Sequence, residues 1–269
     1  ATIPSATPFD PVLDGPYTVD DVSVAIGATL DLAGNTLSIT GALSNNGTVR
    51  VSLPNGSAIA NDTDSGTVEY YGAGTDADNQ LPLGTTYHNL RFVETPTFTP
   101  GDGLLEAITV NNDLEIGDGG GDIITFTDGV DFTVTGTTTL NGDLSTVGAA
   151  ITLPDLTLAG DSDLVSAGGA ISLGTVDGGF ALTVNAGAGA LTLAGALGNV
   201  TALAALSITS DPPIALPDVQ VNPGDFTLTS AGALTQTGSI TISGQTTIDT
   251  GGADVTLTNP GNDFGNVWL

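Results

Sequence analysis

Two acid-bearing stretches are the parts of this chain best equipped for chemistry. NDTDSG at residues 61–66 places Asp62 and Asp64 two apart, and GDGGGDII at 117–124 places Asp118 and Asp122 around a run of glycines. Carboxylates so spaced in a turn offer hard oxygen ligands, and calcium is the ion these four would hold. Neither stretch is complete. The first lacks the glutamate that closes a calcium loop with two oxygens. The second is a single copy of a pattern that works in tandem, with each ion shared between successive turns. Calcium is therefore the one cofactor candidate, and a solvated acidic surface is the plainer reading of the same residues.

The other reactive side chains point away from catalysis. His88 is the single histidine and cysteine is absent, so neither a multi-histidine metal site nor an activated thiol can be assembled, and His88 reads as structural. Chance pairs of carboxylates at glycosidase spacing are unavoidable among 30 acids. A chain with no Lys is nevertheless poorly equipped to hold an acidic polysaccharide, and the expectation is that it is not an enzyme. Tyr70, Tyr71 and Tyr87 lie with Phe92 and Phe98 beside long polar connections, where rings could contact a glycan. Trp268 is a further candidate for interaction, as a contact to a neighbouring subunit or domain or as a core residue of an interrupted coil. Glycosylation sequons at Asn46, Asn55, Asn61 and Asn199 arise readily in a chain rich in Asn and Thr and decide little.

Charge narrows the partners. The basic residues are Arg50 and Arg91 alone, against a formal net charge of -28. Phosphate recognition needs Lys and Arg, so nucleic acids and anionic membranes are repelled. No apolar run approaches the ~20 residues that cross a bilayer. The absence of Met and of an initiating residue suggests a mature or excised segment with any secretion signal removed. Two basic residues also leave trypsin-like proteases few places to cut, which suits an exposed extracellular life.

The elements that must position these residues announce themselves by repetition. Ala150-Ile151-Thr152-Leu153, Ala170-Ile171-Ser172-Leu173 and Ala190-Leu191-Thr192-Leu193 begin 20 residues apart (170 − 150, 190 − 170). Each unit carries two or three short alternating stretches separated by Gly, Asp, Asn or Pro, and the corner Leu153-Pro154-Asp155 returns as Leu216-Pro217-Asp218. Alternation at period two directs one face inward. The inward candidates are Ile151, Leu153, Ile171, Leu173, Leu191, Leu193, Phe226, Leu228, Ile240, Ile242, Val255 and Leu257. One unit cannot bury its own apolar face, but stacked units bury each other's. Gly, Thr and Val are poor helix formers, and a sandwich would not return to phase every ~20 residues. The pattern predicts an all-β parallel β-helix, a β-solenoid of about three short strands per coil of ~20–21 residues. Residues 1–20, with Pro4, Pro8, Pro11 and Pro16, read as an extended lead-in, and 21–269 as a single solenoid with loop-rich excursions around 54–103.

The stretch FTLTSAGALTQTGSITISGQTTIDTGGADVTLTNPGNDFGNVWL resembles the repeats of filamentous-haemagglutinin-like bacterial surface adhesins. In those, coils of the LTLTSAGAIT kind recur with an NDFxG element; the counterpart is Asn262-Asp263-Phe264, with Gly265 one place early. TVEYYGAGTDADNQLPLGTTYHNLRF is similar to a further module of secreted bacterial solenoids. The resemblance implies a right-handed coil, secretion to the cell surface, and a part in adhesion or matrix fibres, with no catalytic residues to carry over. The expectation is a structural protein, an adhesin segment or the subunit of a fibre that self-associates or continues a longer solenoid. A carbohydrate-binding module is the alternative, with glycans or cell surfaces as partners, and a polysaccharide-cleaving β-helix enzyme comes third.

Overall fold

The computed structural model describes residues 1–5, 10–52, 62–72, 86–93, 107–118, 122–126 and 129–268. The described chain is all-β, its strands stacked in parallel as a β-solenoid of about 11 turns, close to the roughly twelve that ~21 residues per coil would give. No helix occurs among the described residues.

The three repeats that set the period stack as their spacing requires. Ile151, Ile171 and Leu191 are direct partners in adjacent laps, and so are Leu153, Leu173 and Leu193. The strand Ile151–Leu158 crosses a corner without a break. Its buried residues are Ile151 and Leu153, then Leu156 and Leu158, so the inward phase slips by one residue at Pro154-Asp155. That slip keeps apolar side chains inside while the chain changes direction. The second copy of the corner does the same, with Leu216 and Val219 buried on either side of Pro217-Asp218. A single apolar cluster runs inside the tube from Val22 to Ile248. Each inward Leu or Ile contributes ~1.5–3 kcal/mol of burial. Of the inward candidates, Leu193 and Leu257 are half-buried against the core, and Val255 is exposed because its side chain lies on the outermost described lap.

The Pro-rich opening departs from expectation. It is paired as a lap of its own, with Thr2–Ile3 against Ser23 and Val24, Val12 against Asp31, and Tyr17–Val19 against Leu37–Ile39. Proline lacks an N–H, but the short strands before Pro4 and after Pro16, with the Leu13 N–H that donates to the Asp31 carbonyl at 2.9 Å, supply enough donors to hold the register. The expected excursions around 54–103 lie largely in residues 53–61, 73–85 and 94–106, outside the described residues.

Close stacking explains many of the glycines. A Cβ on Gly174 would stand 1.6 Å from the Pro154 carbonyl oxygen, and one on Gly169 only 1.9 Å from that of Ala149. Gly189 meets Gly169 in the same way at 1.9 Å. At such corners the next lap's backbone occupies the space of a side chain. Among the described residues the core has the opposite fault at two threonines. Thr138 and Thr246 are fully buried and their hydroxyls have no partner, among columns otherwise filled by Leu90, Leu114 and Leu156 or by Leu206 and Phe226.

Two substitutions should therefore move stability in opposite directions. Gly169→Ala should cost ~1–3 kcal/mol or more through overpacking. Thr138→Val keeps the shape, removes an unpaired hydroxyl, and should add about 1 kcal/mol. Urea melts of both variants beside the parent chain measure the two effects; a neutral Gly169→Ala would mean that the laps are not in contact there.

Candidate functional site

The polar residues of the solenoid fall into three recurring arrangements, two of which belong to the corners. The first is a column of buried hydroxyls. Thr146, Ser166, Ser210, Ser230 and Thr250 occupy equivalent places in successive laps, with Ala186 filling the gap. Thr146 Oγ1 donates to the Ala149 carbonyl at 2.9 Å, Ser166 Oγ to that of Gly169 at 2.5 Å, and Thr250 Oγ1 to that of Ala253 at 2.6 Å. A hydroxyl that bonds the carbonyl three residues on closes the turn and satisfies a buried acceptor. At the second Ser-Ala-Gly corner Ser230 Oγ donates instead to the Pro212 carbonyl at 3.3 Å and the Gly232 carbonyl at 3.2 Å.

The second arrangement is a set of aspartates, each accepting a backbone N–H from the following lap. Asp21 takes that of Ala42 at 2.8 Å, Asp131 that of Ala150 at 2.7 Å, and Asp161 that of Ala181 at 2.8 Å. Asp177 takes Val200 at 2.8 Å, and Asp225 takes Gln245 at 2.7 Å. Carboxylate acceptors make stronger bonds than neutral ones, so part of the large negative charge is a structural device rather than a bare solvated surface. Near the end of the described chain an amide caps in the reverse sense, towards the preceding lap: Asn262 Oδ1 accepts the Ile240 N–H at 3.0 Å and pairs with Gln236 in both directions at 2.9 Å. That is the work of the Asn in Asn262-Asp263-Phe264, while Phe264 packs on the core.

The calcium candidates are engaged as well, with the preceding lap or within their own turn. Asp62 is buried, and its Oδ2 accepts the Asn45 Nδ2 donor at 2.6 Å, while Asp64 Oδ2 accepts the Asn45 N–H at 3.1 Å. Burial, with Asp64 nearby, raises the Asp62 carboxyl above the usual carboxylate range. Asp122 is buried and accepts the Asp118 N–H at 3.0 Å. The pairs lie on different laps, and among the described residues no group of three or more His, Cys, Asp or Glu gathers at metal-binding distance.

The tyrosines require a correction. Tyr70 and Tyr87 are 0% exposed, their hydroxyls 3.1 Å apart, and cannot meet a glycan. Tyr70 stacks on Phe92 with ring centroids 5.7 Å apart, and Phe92, Phe126 and Phe132 continue the aromatic series through the tube. Tyr70 shares the inward phase of Val68, so alternation carries both into the core. Tyr71 points outward: its hydroxyl donates to Asp31 at 2.7 Å, and the Arg50 guanidinium lies 4.3 Å above its ring. Trp268 is 65% exposed beside Val255 and Val267, which removes its reading as a core residue.

The third arrangement, which sequence reasoning missed, is a ladder of charge on one outer wall. Asp31, Arg50, Glu69, Arg91 and Glu115 are register partners in successive laps. Arg50 Nε donates to Glu69 Oε1 at 2.6 Å, and Arg91 Nη1 to Glu69 Oε2 at 2.9 Å. Arg91 Nε stands 3.1 Å from Glu115 Oε2, an ion pair without hydrogen-bond alignment. Both of the chain's cations thus lie in one row, with Glu69 nearly buried between them. Two residues back along the strands runs a neutral-to-acidic row of Thr48, Thr67, Asn89 and Asp113. Between the rows is an open groove of about 300 Å³.

Fold and polar architecture together define a class, the repeat β-solenoids. Within it, residues 203–268 match a family described as repeats of unknown function (DUF5649). That stretch contains the Ser210, Ser230 and Thr250 corners and the Gln236–Asn262 pair. No curated protein and no solved structure matches the chain.

The aspartate caps make a pH prediction. Asp218 accepts the Ser239 N–H at 2.7 Å and the Ser239 hydroxyl at 2.9 Å, which holds its carboxyl below the ordinary 3.8. A carboxyl whose pKa falls on folding adds stability above its unfolded value and loses it as the pH drops through the folded one. Asp218→Asn should therefore lower stability at neutral pH, and the deficit should shrink as the solution is acidified below 3.8. Urea melts of parent and variant at neutral and strongly acid pH test it; a deficit that does not change with pH would show that the charge plays no part.

Proposed function

We propose that this chain is a non-enzymatic, extracellular structural protein: a β-solenoid rod that acts as an adhesin segment or as the subunit of a surface or matrix fibre, of the filamentous-haemagglutinin kind. The observation that carries the reading is the continuity of the core, a single apolar column from Val22 to Ile248 with each lap in register on the last. A quasi-one-dimensional core of this sort gives length and stiffness and can be extended by further units. The hydroxyls and carboxylates of the corners support it too, since their partners are backbone groups of the same rod.

An extracellular setting fits the charge. Arg50 and Arg91, the sole tryptic sites, are both tied into ion pairs on a strand wall. The native chain should therefore stay intact in trypsin under conditions that digest it once it is unfolded in urea. Negative-stain images of the purified chain should show straight rods, joined end to end if the fibre version holds and short and separate if the adhesin-segment version does. Compact globular particles, or recovery of the native protein from the cytoplasm of its source, would overturn the reading.

A further inference from the structure

The charge ladder is more elaborate than wall-building requires. The same outward row continues beyond Glu115 as Thr139, Thr157 and Asp177, and other walls stack Thr133 on Thr152 and Thr227 on Thr247. Threonine suffices to cover a strand face, and the outer pair, Arg91 with the half-exposed Glu115, adds little stability. Yet both cations of a 269-residue chain are placed here, alternating with acids. The groups are also held still. Glu69 is clamped by two guanidinia, Arg91 stands between Glu69 and Glu115, and Asn89 is fixed by the Gly66 carbonyl at 3.0 Å and the Asp113 N–H at 3.2 Å. Groups ordered beforehand cost a ligand little on binding.

We propose that the groove between the two rows is a binding site for a neutral polysaccharide lying along the rod. The lining of Thr67, Asn89, Arg91, Asp113 and Glu115 offers fixed donors and acceptors side by side, which is what an uncharged, hydroxyl-rich ligand needs. The charge of -28 on the whole chain repels polyuronides, sulfated glycans and nucleic acids. Along the ladder itself the two guanidinia offset two of the three carboxylates, and Glu69, the most buried of these acids, is taken up by both. A polymer running along this groove, across the strands, meets a new pair of side chains, one from each row, every ~4.8 Å. Arg50 over Tyr71 closes the side of this wall towards Asp31. The inference goes beyond the structural reading: a rod that binds no glycan can still form, and a rod that binds one need not join into fibres.

The test is isothermal titration of the full chain with cellohexaose, laminarihexaose, mannohexaose and xylohexaose, with a galacturonate hexamer and calcium chloride as contrasting probes. At least one neutral hexamer should bind. Glu115→Gln, at the half-exposed rim where the fold does not depend on it, should weaken that binding about tenfold or more. Arg91→Gln should weaken it similarly, and Thr227→Ala, on another wall, should leave it unchanged. Three results would each overturn the proposal: no neutral hexamer bound at millimolar concentration, binding that survives both groove variants, or a response to galacturonate or calcium alone.

Discussion

The constraint on which this molecule depends is the distance between one lap and the next, ~4.8 Å along the rod axis. Parallel pairing at that spacing leaves no freedom at the corners. Carbonyls of Ala149 and Pro154 fill the places where side chains on Gly169 and Gly174 would stand. Donors at the corners point out of the ladder and must find acceptors elsewhere, because an unpaired buried N–H costs as much as several good contacts return. The aspartates answer that need, and the column of hydroxyls answers the converse one by donating to corner carbonyls. The period near 20 residues is thus a backbone requirement first and a hydrophobic one second: Ile171 lies over Ile151 because the laps close at the same corner.

The acidic composition follows from the same constraint. Asp, with its short side chain, reaches the N–H of the next lap from a corner where Glu would overshoot, and the caps at Asp131, Asp161 and Asp225 repeat one geometry. Repetition along the stack brings like charges close. Asp143 accepts the Asp163 N–H at 2.9 Å and lies beside the Asp163 carboxylate. Its carboxyl is raised chiefly by burial and secondarily by that neighbour, so in its ionised form it subtracts from stability where Asp218 adds to it. Salt screens such repulsion over ~8–10 Å or less while leaving the short caps intact. A rod of this kind tolerates its charge best in a saline medium.

How far the sequence spoke depended on spacing. Ile151, Ile171 and Leu191 recur without a gap, and their inward face, the stacking and the parallel pairing could all be read directly. The ladder could not. Its steps are 19 residues from Arg50 to Glu69, 22 from Glu69 to Arg91, and 24 (115 − 91) to Glu115, so no fixed period exposes it. Connections of unequal length hide register wherever they occur. The polar stretches around Tyr70 and Tyr87 mimic a surface; Val68 marks the inward phase that carries Tyr70 into the core, but Tyr87 lies three residues before Leu90, across a slip in phase at His88 and Asn89 that simple alternation does not foretell. The caps were illegible because Asp at a turn has several possible partners nearby in sequence, and the one it takes lies a full lap away.

The ladder also bears on how a one-dimensional core could carry the proposed binding surface. A solenoid has no cleft between domains, so any site must lie on a wall and be made of residues from several laps. Placement of a side chain on such a wall is set by register, to the precision of the backbone hydrogen bonds beneath it. Glu69 illustrates the consequence. Its neighbours Arg50 and Arg91 come from the laps on either side, and neither can shift without moving the Val49, Val68 and Leu90 column directly inside. The rigidity of the core is thereby passed to the surface, and the register of the strands fixes the groove of Thr, Asn, Arg and carboxylates above it.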